Sequence, residues 1–264
     1  MALMTWALKR QIFYIVILVL FFSIFGFIIV YPKFNKEPTC VDGKQNGSET
    51  GIDCGGSCAL ACIAQVDDIS VLWARAFRVI PGRYNALAYI VNHNQNAGIR
   101  KIHYRFRFAD AKNIYIGKRE SSTFIPPGGS FAIFEPGIDI GNSVPVYVNF
   151  EFTDQTPLWE QISPELNKQL KVLVSEIKLT DETTSPRLSA VIKNSSLFTI
   201  PDVGVIAILY DDKHNAISTS RTYLEKLGPL QSANINFTWP EPLGGTVVAK
   251  EIIPMVNYFS VKLQ

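Results

Sequence analysis

The longest apolar run of the chain extends from Ile12 to Tyr31 and contains no charged residue. A helix of about twenty residues rises roughly 30 Å, which matches the hydrocarbon thickness of a bilayer. A cleaved signal peptide would have a shorter apolar core followed by small residues, and this run ends instead in Ile-Ile-Val-Tyr-Pro. A core helix of a soluble protein would carry polar residues on one face. The pattern therefore predicts an uncleaved transmembrane signal anchor at residues 12–31 behind a short tail at residues 1–11.

From residue 65 onward, apolar and polar residues alternate in short runs that are separated by Gly, Pro, Asn and Asp. Alternation with a period of two predicts half-buried strands, and several short strands at this spacing are typical of an antiparallel β-sandwich. The first group of predicted strands covers residues 70–79, 85–93, 100–108, 113–117, 130–134 and 144–152.

The second half of this region repeats the first. A shift of 102 residues places Asn92 on Asn194, together with four further pairs: Asp110 on Asp212, Asn113 on Asn215, Arg119 on Arg221 and Pro127 on Pro229. A repeat at this period indicates two copies of one structural unit. We therefore predict an all-β body of two tandem immunoglobulin-like antiparallel β-sandwiches, at residues 65–156 and 170–264.

A connector at residues 157–169 joins the two predicted sandwiches. It contains Ser163-Pro164-Glu165, which is typical of a helix N-cap followed by proline at the first helical position. The sequence thus predicts a short helix between the two copies.

All four cysteines lie in a glycine-rich segment directly after the apolar run, within a spacer and module at residues 32–64. The segment has too few apolar residues to form a core of its own, so we expect a covalent staple. Two disulfides are one solution, with three connectivities open. A four-cysteine zinc site is the alternative, although structural zinc sites usually have two closely spaced pairs. The cysteines are Cys40, Cys54, Cys58 and Cys62.

The orientation of the anchor depends on these cysteines. Lys9 and Arg10 precede the apolar run, and Lys33 and Lys36 follow it, so the positive-inside bias is weak. Paired cysteines belong in oxidising compartments. We therefore predict a single-pass protein of the cell membrane with a cytoplasmic N-terminus and an extracytoplasmic body.

Two stretches resemble known families. Residues 40–58 follow the pattern C-x-D-G-x-x-N-G-x-E-T-G-x-D-C-G-G-x-C, which resembles a cysteine-rich module of secreted and surface-anchored proteins. Ala207-Ile-Leu-Tyr-Asp211 is similar to the signature of the FxLYD family, small immunoglobulin-like sandwiches on bacterial and archaeal envelope proteins. Ala207 stands where that signature has Phe, and the first copy has Arg105-Phe-Arg-Phe-Ala109. The resemblances imply a surface location and a binding or structural module.

Four oxygen-bearing side chains in the glycine-rich module form a candidate calcium site. Calcium prefers carboxylate and amide oxygens, but the spacing differs from that of an EF-hand. The alternative is that these side chains cap turns by accepting hydrogen bonds from nearby backbone amides. No other cofactor is predicted. The candidate ligands are Asp42, Asn46, Glu49 and Asp53.

One predicted strand of the first copy has an aromatic face and a basic face. Its basic residues are accompanied by only Asp110 and Glu120 between residues 100 and 120. Such a face could bind an anionic envelope polymer or lipid headgroups, and the alternative is an ordinary solvated face. The candidate polyanion-binding residues are Arg100, Lys101, His103, Arg105 and Arg107.

The corresponding strand of the second copy is apolar on both faces. The 102-residue shift assigns Gly204, Ile206, Ile208 and Tyr210 to the core. The other face is then either covered by the connector at residues 154–170 or exposed as a contact site for a partner. That predicted apolar contact face consists of Val205, Ala207 and Leu209.

Composition and motifs limit the function classes. The formal net charge is +2, and no motif for a catalytic nucleophile, a phosphate-binding loop or a zinc hydrolase is present. We predict no enzymatic activity and no nucleic-acid binding. The predicted function is a single-pass envelope protein that presents two β-sandwiches for binding or scaffolding. The alternative is an accessory subunit that contacts other membrane proteins through its anchor and second sandwich.

Overall fold

The computed structural model describes residues 6–34 and 38–261. Helix α1 spans Trp6–Phe34 and contains the predicted anchor. Its segment Leu8–Ile29 is long and apolar enough to cross a membrane, and none of it is buried against the rest of the protein. Residues 1–5 of the predicted tail and residues 35–37 of the predicted spacer lie outside the described residues.

The remainder of the chain is built mainly from antiparallel strands, as predicted. The first body, residues 70–161, contains a sheet in the order β1-β2-β5 and a second sheet in the order β4-β3-β6, with β7 paired to β3. Its strands are β1 (Ser70–Ile80), β2 (Arg83–Asn92), β3 (Ala97–Ala109), β4 (Tyr115–Ile125), β5 (Gly129–Asp139), β6 (Tyr147–Phe152) and β7 (Trp159–Gln161).

The second body, residues 172–255, repeats this arrangement with sheets in the order β12-β9-β8 and β11-β10-β13. Helix α2 (Pro164–Gln169) joins the two bodies, and the Leu166 amide donates to the Ser163 hydroxyl, as the predicted N-cap requires. The strands are β8 (Val172–Thr180), β9 (Arg187–Asn194), β10 (Ile200–Tyr210), β11 (Ala216–Leu227), β12 (Ser232–Thr238) and β13 (Ala249–Met255).

A buried asparagine occupies the same place in both bodies. Asn92 ends β2, Asn194 ends β9, and both side chains are fully buried. The Asn92 amide donates to the carbonyls of Ala97 and Pro126, at 2.9 and 2.8 Å. The Asn194 amide likewise donates to the carbonyls of Phe198, Leu227 and Gly228. Because buried carbonyls need a donor, each asparagine links two parts of its body that are distant in sequence.

After this asparagine, the structural alignment of the two bodies shifts from 102 to 101 residues. The first buried isoleucine of the next strand is Ile99 in the first body and Ile200 in the second, where the connection is one residue shorter. A one-residue slip moves every side chain of a strand to the opposite face. The same slip aligns the turn at Asp110 with the turn at Asp211 rather than Asp212, since both carboxylates accept from the amides two and four residues later.

Candidate binding surface

The cysteine-rich module is closed by two disulfides, Cys40–Cys58 and Cys54–Cys62. The two-disulfide prediction is confirmed, and one of its three open connectivities is selected. Cys40, Glu49 and Cys58 lie close enough together to hold a metal. Because both sulfur atoms belong to a disulfide, neither is available as a thiolate ligand.

The carboxylates of the module bind backbone amides. Asp53 accepts from the amides of Asp42 and Gly43 at 2.9 Å, and Glu49 accepts from the amides of Asn46 and Asp53. The pKa of Asp42 is lowered, mainly by the hydrogen bond from the Asn46 side chain. These hydrogen bonds match the turn-capping alternative, and a calcium site at these residues stays a prediction.

The module is joined to the first body by backbone pairing. The Ala61 amide donates to the Trp159 carbonyl at 3.0 Å, and the Gln161 amide donates to the Ala59 carbonyl at 2.7 Å. Strand β7 in turn pairs with β3 at Ala97–Ile99. The sheet of the first body therefore continues through β7 into the disulfide-bonded module.

The basic face of β3 is matched by carboxylates from neighbouring segments. Arg105 forms ion pairs with Glu151 at 2.6 Å and Glu120 at 3.4 Å, and Arg107 lies 3.4 Å from the same Glu151. The pKa of Arg105 is raised, chiefly by its hydrogen bond to Glu151. Of these two carboxylates, only Glu120 lies between residues 100 and 120, the segment whose composition predicts an excess of positive charge. Strand β6 supplies Glu151 across the sheet, so most of the predicted excess is neutralised.

The remaining basic candidates of β3 lie closer to β7. Arg100 binds Glu160 with two parallel hydrogen bonds of 2.9 and 2.6 Å. His103 lies 3.1 Å from Asp154, whose pKa is lowered mainly by the hydrogen bond from the His103 backbone amide. Lys101 is exposed beside them. The five candidates therefore share one face with at least four carboxylates and do not form a bare cationic patch.

Strand β10 is apolar on both faces, as predicted, but the two faces were assigned the wrong way round. Val205, Ala207 and Leu209 are fully buried in the core between the two sheets of the second body. Ile206 and Ile208 belong instead to the hydrophobic cluster of the first body. The one-residue slip in register explains the error, and it removes the predicted contact face from the surface.

The connector closes the edge of that second core. Ile162, Leu166 and Leu170 are buried in the same cluster as Val205. The cover for the other face of β10 comes from the β1-β2-β5 sheet of the first body. Arg75 on that sheet donates to the Ala216 carbonyl of the second body at 3.1 Å. The predicted cover of the face of Val205, Ala207 and Leu209 is right for Ile162 and Leu166 of the connector. Trp159 belongs instead to the cluster of the first body, and Leu158 is exposed.

A carboxylate lies inside the contact between the two bodies. Glu251 on β13 accepts from the hydroxyls of Tyr89 at 2.7 Å and Tyr210 at 2.6 Å. Burial is the main cause of the raised pKa of both tyrosines. Trp73 stacks on Tyr89 with the ring centroids 5.5 Å apart. The contact thus combines a hydrogen-bonded centre with apolar packing, and the apolar packing restricts the relative motion of the two bodies.

A row of side chains on the outer face of the first body was missed from sequence. Ala109 on β3 is directly opposite Tyr115 on β4 and Tyr147 on β6. Both tyrosines are more than half exposed, at 60% and 54%. They line an open depression with Arg107 and Asn149. The alternation of these strands could have indicated the row, but the bulge between Phe108 and Ala109 conceals which residues of β4 face outward.

The fold and these surfaces define an all-β protein with an N-terminal apolar helix and a disulfide-closed module between them. No family model matches the chain, and no curated protein matches it either. Among solved structures, it is similar to red sea bream transglutaminase, with 8% identity, a TM-score of 0.25, and coverage of 72% of this chain and 29% of that one.

Two glycosidase structures show the same level of similarity. One is a putative β-galactosidase from Bacteroides fragilis, with 13% identity, a TM-score of 0.22, and coverage of 67% of this chain and 33% of that one. The other is a β-glucuronidase from glycoside hydrolase family 2, with 7% identity, a TM-score of 0.21, and coverage of 84% and 29%. This chain spans a third or less of each of these proteins, and we draw no functional argument from them.

Proposed function

We propose that this chain is a single-pass envelope protein whose two β-bodies form one rigid extracytoplasmic unit for binding or scaffolding, without catalytic activity. One observation carries the proposal. Both disulfides come directly after helix α1, and no part of the apolar segment of that helix is buried. An exposed apolar helix of this length is stable in a bilayer and costly in water. Because disulfides persist in oxidising compartments, they support an extracytoplasmic body.

The contact between the bodies supports a scaffolding role. Two sandwiches on a free linker would present their surfaces independently, whereas here the second body is fixed to the first by buried apolar side chains. The resemblance to FxLYD envelope proteins is in agreement with such a module and remains part of the proposal. An accessory subunit is less well supported, because the apolar strand face that would have recruited a partner is used within the chain.

The proposal is tested by locating the body in cells. The full chain with a C-terminal epitope should remain in membranes after alkaline carbonate extraction, and protease added to intact spheroplasts should remove the epitope. The protein isolated without reductant should weigh about 4 Da less than after reduction, because each disulfide lacks two hydrogens. Peptide mapping should recover Cys40 with Cys58 and Cys54 with Cys62.

A matched control separates the anchor from the body. Deletion of residues 1–34 without a replacement signal should leave the protein soluble in the cytoplasm and its cysteines reduced. Free thiols in the full chain, or an epitope protected in intact spheroplasts and cleaved only after lysis, would contradict the proposed orientation.

A further inference from the structure

The row formed by Tyr115, Ala109 and Tyr147 is here called the tyrosine slot. The three residues lie opposite one another on adjacent strands, so their side chains point from the same face of the sheet. Neighbouring strands are about 4.8 Å apart, which places the two tyrosine backbones roughly 10 Å apart. The methyl group of Ala109 forms the floor between them.

A spacing of roughly 10 Å between the two tyrosine backbones leaves room for one saturated ring between their side chains. Carbon atoms pack best at about 3.5–4.0 Å, so a ring held between two tyrosines needs roughly 7–8 Å between the tyrosine planes. Tyrosine offers an apolar face for the C–H groups of such a ring and a hydroxyl for its polar edge. A sugar ring has both apolar C–H groups and polar hydroxyls, whereas an aliphatic side chain has no group that can form a hydrogen bond with the tyrosine hydroxyls.

The polar groups around the slot are not engaged elsewhere. Among residues 6–34 and 38–261, the hydroxyls of Tyr115 and Tyr147 and the side-chain amide of Asn149 have no hydrogen-bond partner. All three side chains are exposed. They supply donors and acceptors of the kind that sugar hydroxyls pair with.

The charge at the slot favours an acidic sugar. Arg107, which lines the depression, shares the single carboxylate of Glu151 with Arg105. Arg105 also pairs with Glu120, which is shared with Lys118, so three cationic side chains meet two carboxylates and one excess positive charge is left beside the slot. Lys112 lines the same depression from the β3–β4 turn. A carboxylate on the bound ring would complete these pairs.

The second body shows that the slot is specific to the first. There the corresponding row has Tyr210 in the middle, opposite Ala216 on one side and Ala249 on the other. The large and small positions are exchanged, and Tyr210 is directed to Glu251 in the contact between the bodies. The equivalent position therefore contacts the other body in the second body and is exposed to solvent in the first.

We propose that the tyrosine slot binds a uronate residue of an acidic envelope polysaccharide, with the ring between Tyr115 and Tyr147 and the carboxylate at Arg107. This inference names a ligand for the binding role proposed above and rests on that role. Its test uses purified full chain in detergent micelles, so failure of glycan binding leaves the membrane location and orientation to be judged separately.

The experiment titrates three probes against the protein by isothermal titration calorimetry: an oligogalacturonate, which has rings and carboxylates; a cello-oligosaccharide, which has rings only; and inorganic triphosphate, which has charge only. We expect the oligogalacturonate to bind most tightly. Tyr147→Ala and Ala109→Leu should each weaken its binding about ten-fold, the first by removing a wall and the second by filling the floor. Tyr223→Ala, on an exposed position of β11, is the matched control and should bind like the unmodified protein.

Three results would overturn the proposal. The first is no detectable binding of any oligogalacturonate. The second is triphosphate binding as tightly as the oligogalacturonate with no effect of Ala109→Leu, which would indicate charge alone. The third is self-association of the unmodified protein that Tyr147→Ala abolishes while no sugar binds, which would make the slot a protein contact. Thermal unfolding of each variant establishes that it is folded.

Discussion

The hydroxyl of Tyr89 in the first body donates to Glu251 in the second, at 2.7 Å. Tyr210 donates to the other oxygen of the same carboxylate. Replacing Glu251 with alanine should remove the shared acceptor of two partly buried hydroxyls and lower the free energy of unfolding by about 2–3 kcal/mol. Denaturant unfolding of the full chain in micelles measures this change.

Two variants isolate the contribution of that carboxylate. Tyr89→Phe removes a single hydrogen bond and should cost about 1 kcal/mol. Glu225→Ala on exposed β11 removes a carboxylate of the same kind and should leave the stability within about 0.5 kcal/mol of the original. Equal effects of Glu251→Ala and Glu225→Ala would show that the contact between the bodies does not depend on Glu251.

Adjacent residues of β10 report on different contacts. Leu209→Lys places a charge in the core of the second body and should unfold that body, since a buried unpaired charge costs several kcal/mol. Ile208→Lys places the same charge between the two bodies. It should separate them while each sheet pair stays folded.

Circular dichroism and inter-body distances separate the two outcomes. Spin labels on exposed positions of the two bodies should give one narrow distance in the original protein and a broad distribution in Ile208→Lys. Identical behaviour of the two variants would mean that the assigned faces of β10 are wrong.

The buried asparagines should make equivalent contributions. Asn92→Ala leaves the carbonyls of Ala97 and Pro126 without their donor, and Asn194→Ala does the same to three carbonyls of the second body. Each change should lower the free energy of unfolding by about 2–4 kcal/mol. Asn236→Ala, on an exposed position of β12, is the control and should change it little.

The Asp211 turn should make stability depend on acid pH. Its pKa is lowered, first by the hydrogen bond from the Asn215 amide. A carboxyl with a lower pKa in the folded state stabilises the fold above its unfolded pKa, near 4, and this contribution is lost as the pH falls through the folded value. The unfolding temperature should therefore decline less steeply below pH 4 in Asp211→Asn than in the original protein. Asp212→Asn should follow the original curve.

The sequence predicts the elements of this fold better than their register. The uninterrupted run at residues 12–31, the Ser163 N-cap and the grouping of four cysteines each have a local physical cause, and each is present in the structure. The repeat identifies the equivalent buried asparagines. The two copies of the repeat share too few identical residues for their alignment to reveal the one-residue gap after Asn194. That gap nevertheless exchanges the two faces of β10.

The charge balance of β3 could not be obtained from a window of sequence. The carboxylates that meet Arg100, His103 and Arg105 come from β6, β7 and the segment between them. Strand pairing brings these residues together across some fifty positions of the chain. The tyrosine slot was missed for the same reason, since Tyr115 and Tyr147 become neighbours of Ala109 only after three strands have paired.

The disulfide between Cys40 and Cys58 also has a mechanical consequence. In the proposed membrane-anchored protein, a pull on α1 enters the folded region at Cys40 and passes through the sulfur bridge to Cys58, so residues 41–53 lie outside the shortest load path. The bridge between Cys54 and Cys62 lets residues 55–57 share the load with residues 59–61. The bridge between Cys40 and Cys58 removes roughly 60 Å of extensible tether. The load then reaches residues 59–61, whose hydrogen bonds to β7 transmit it to the first sheet. The module thus shortens and stiffens the link between helix α1 and the first body, which in the proposed anchored protein limits the distance of both bodies from the bilayer.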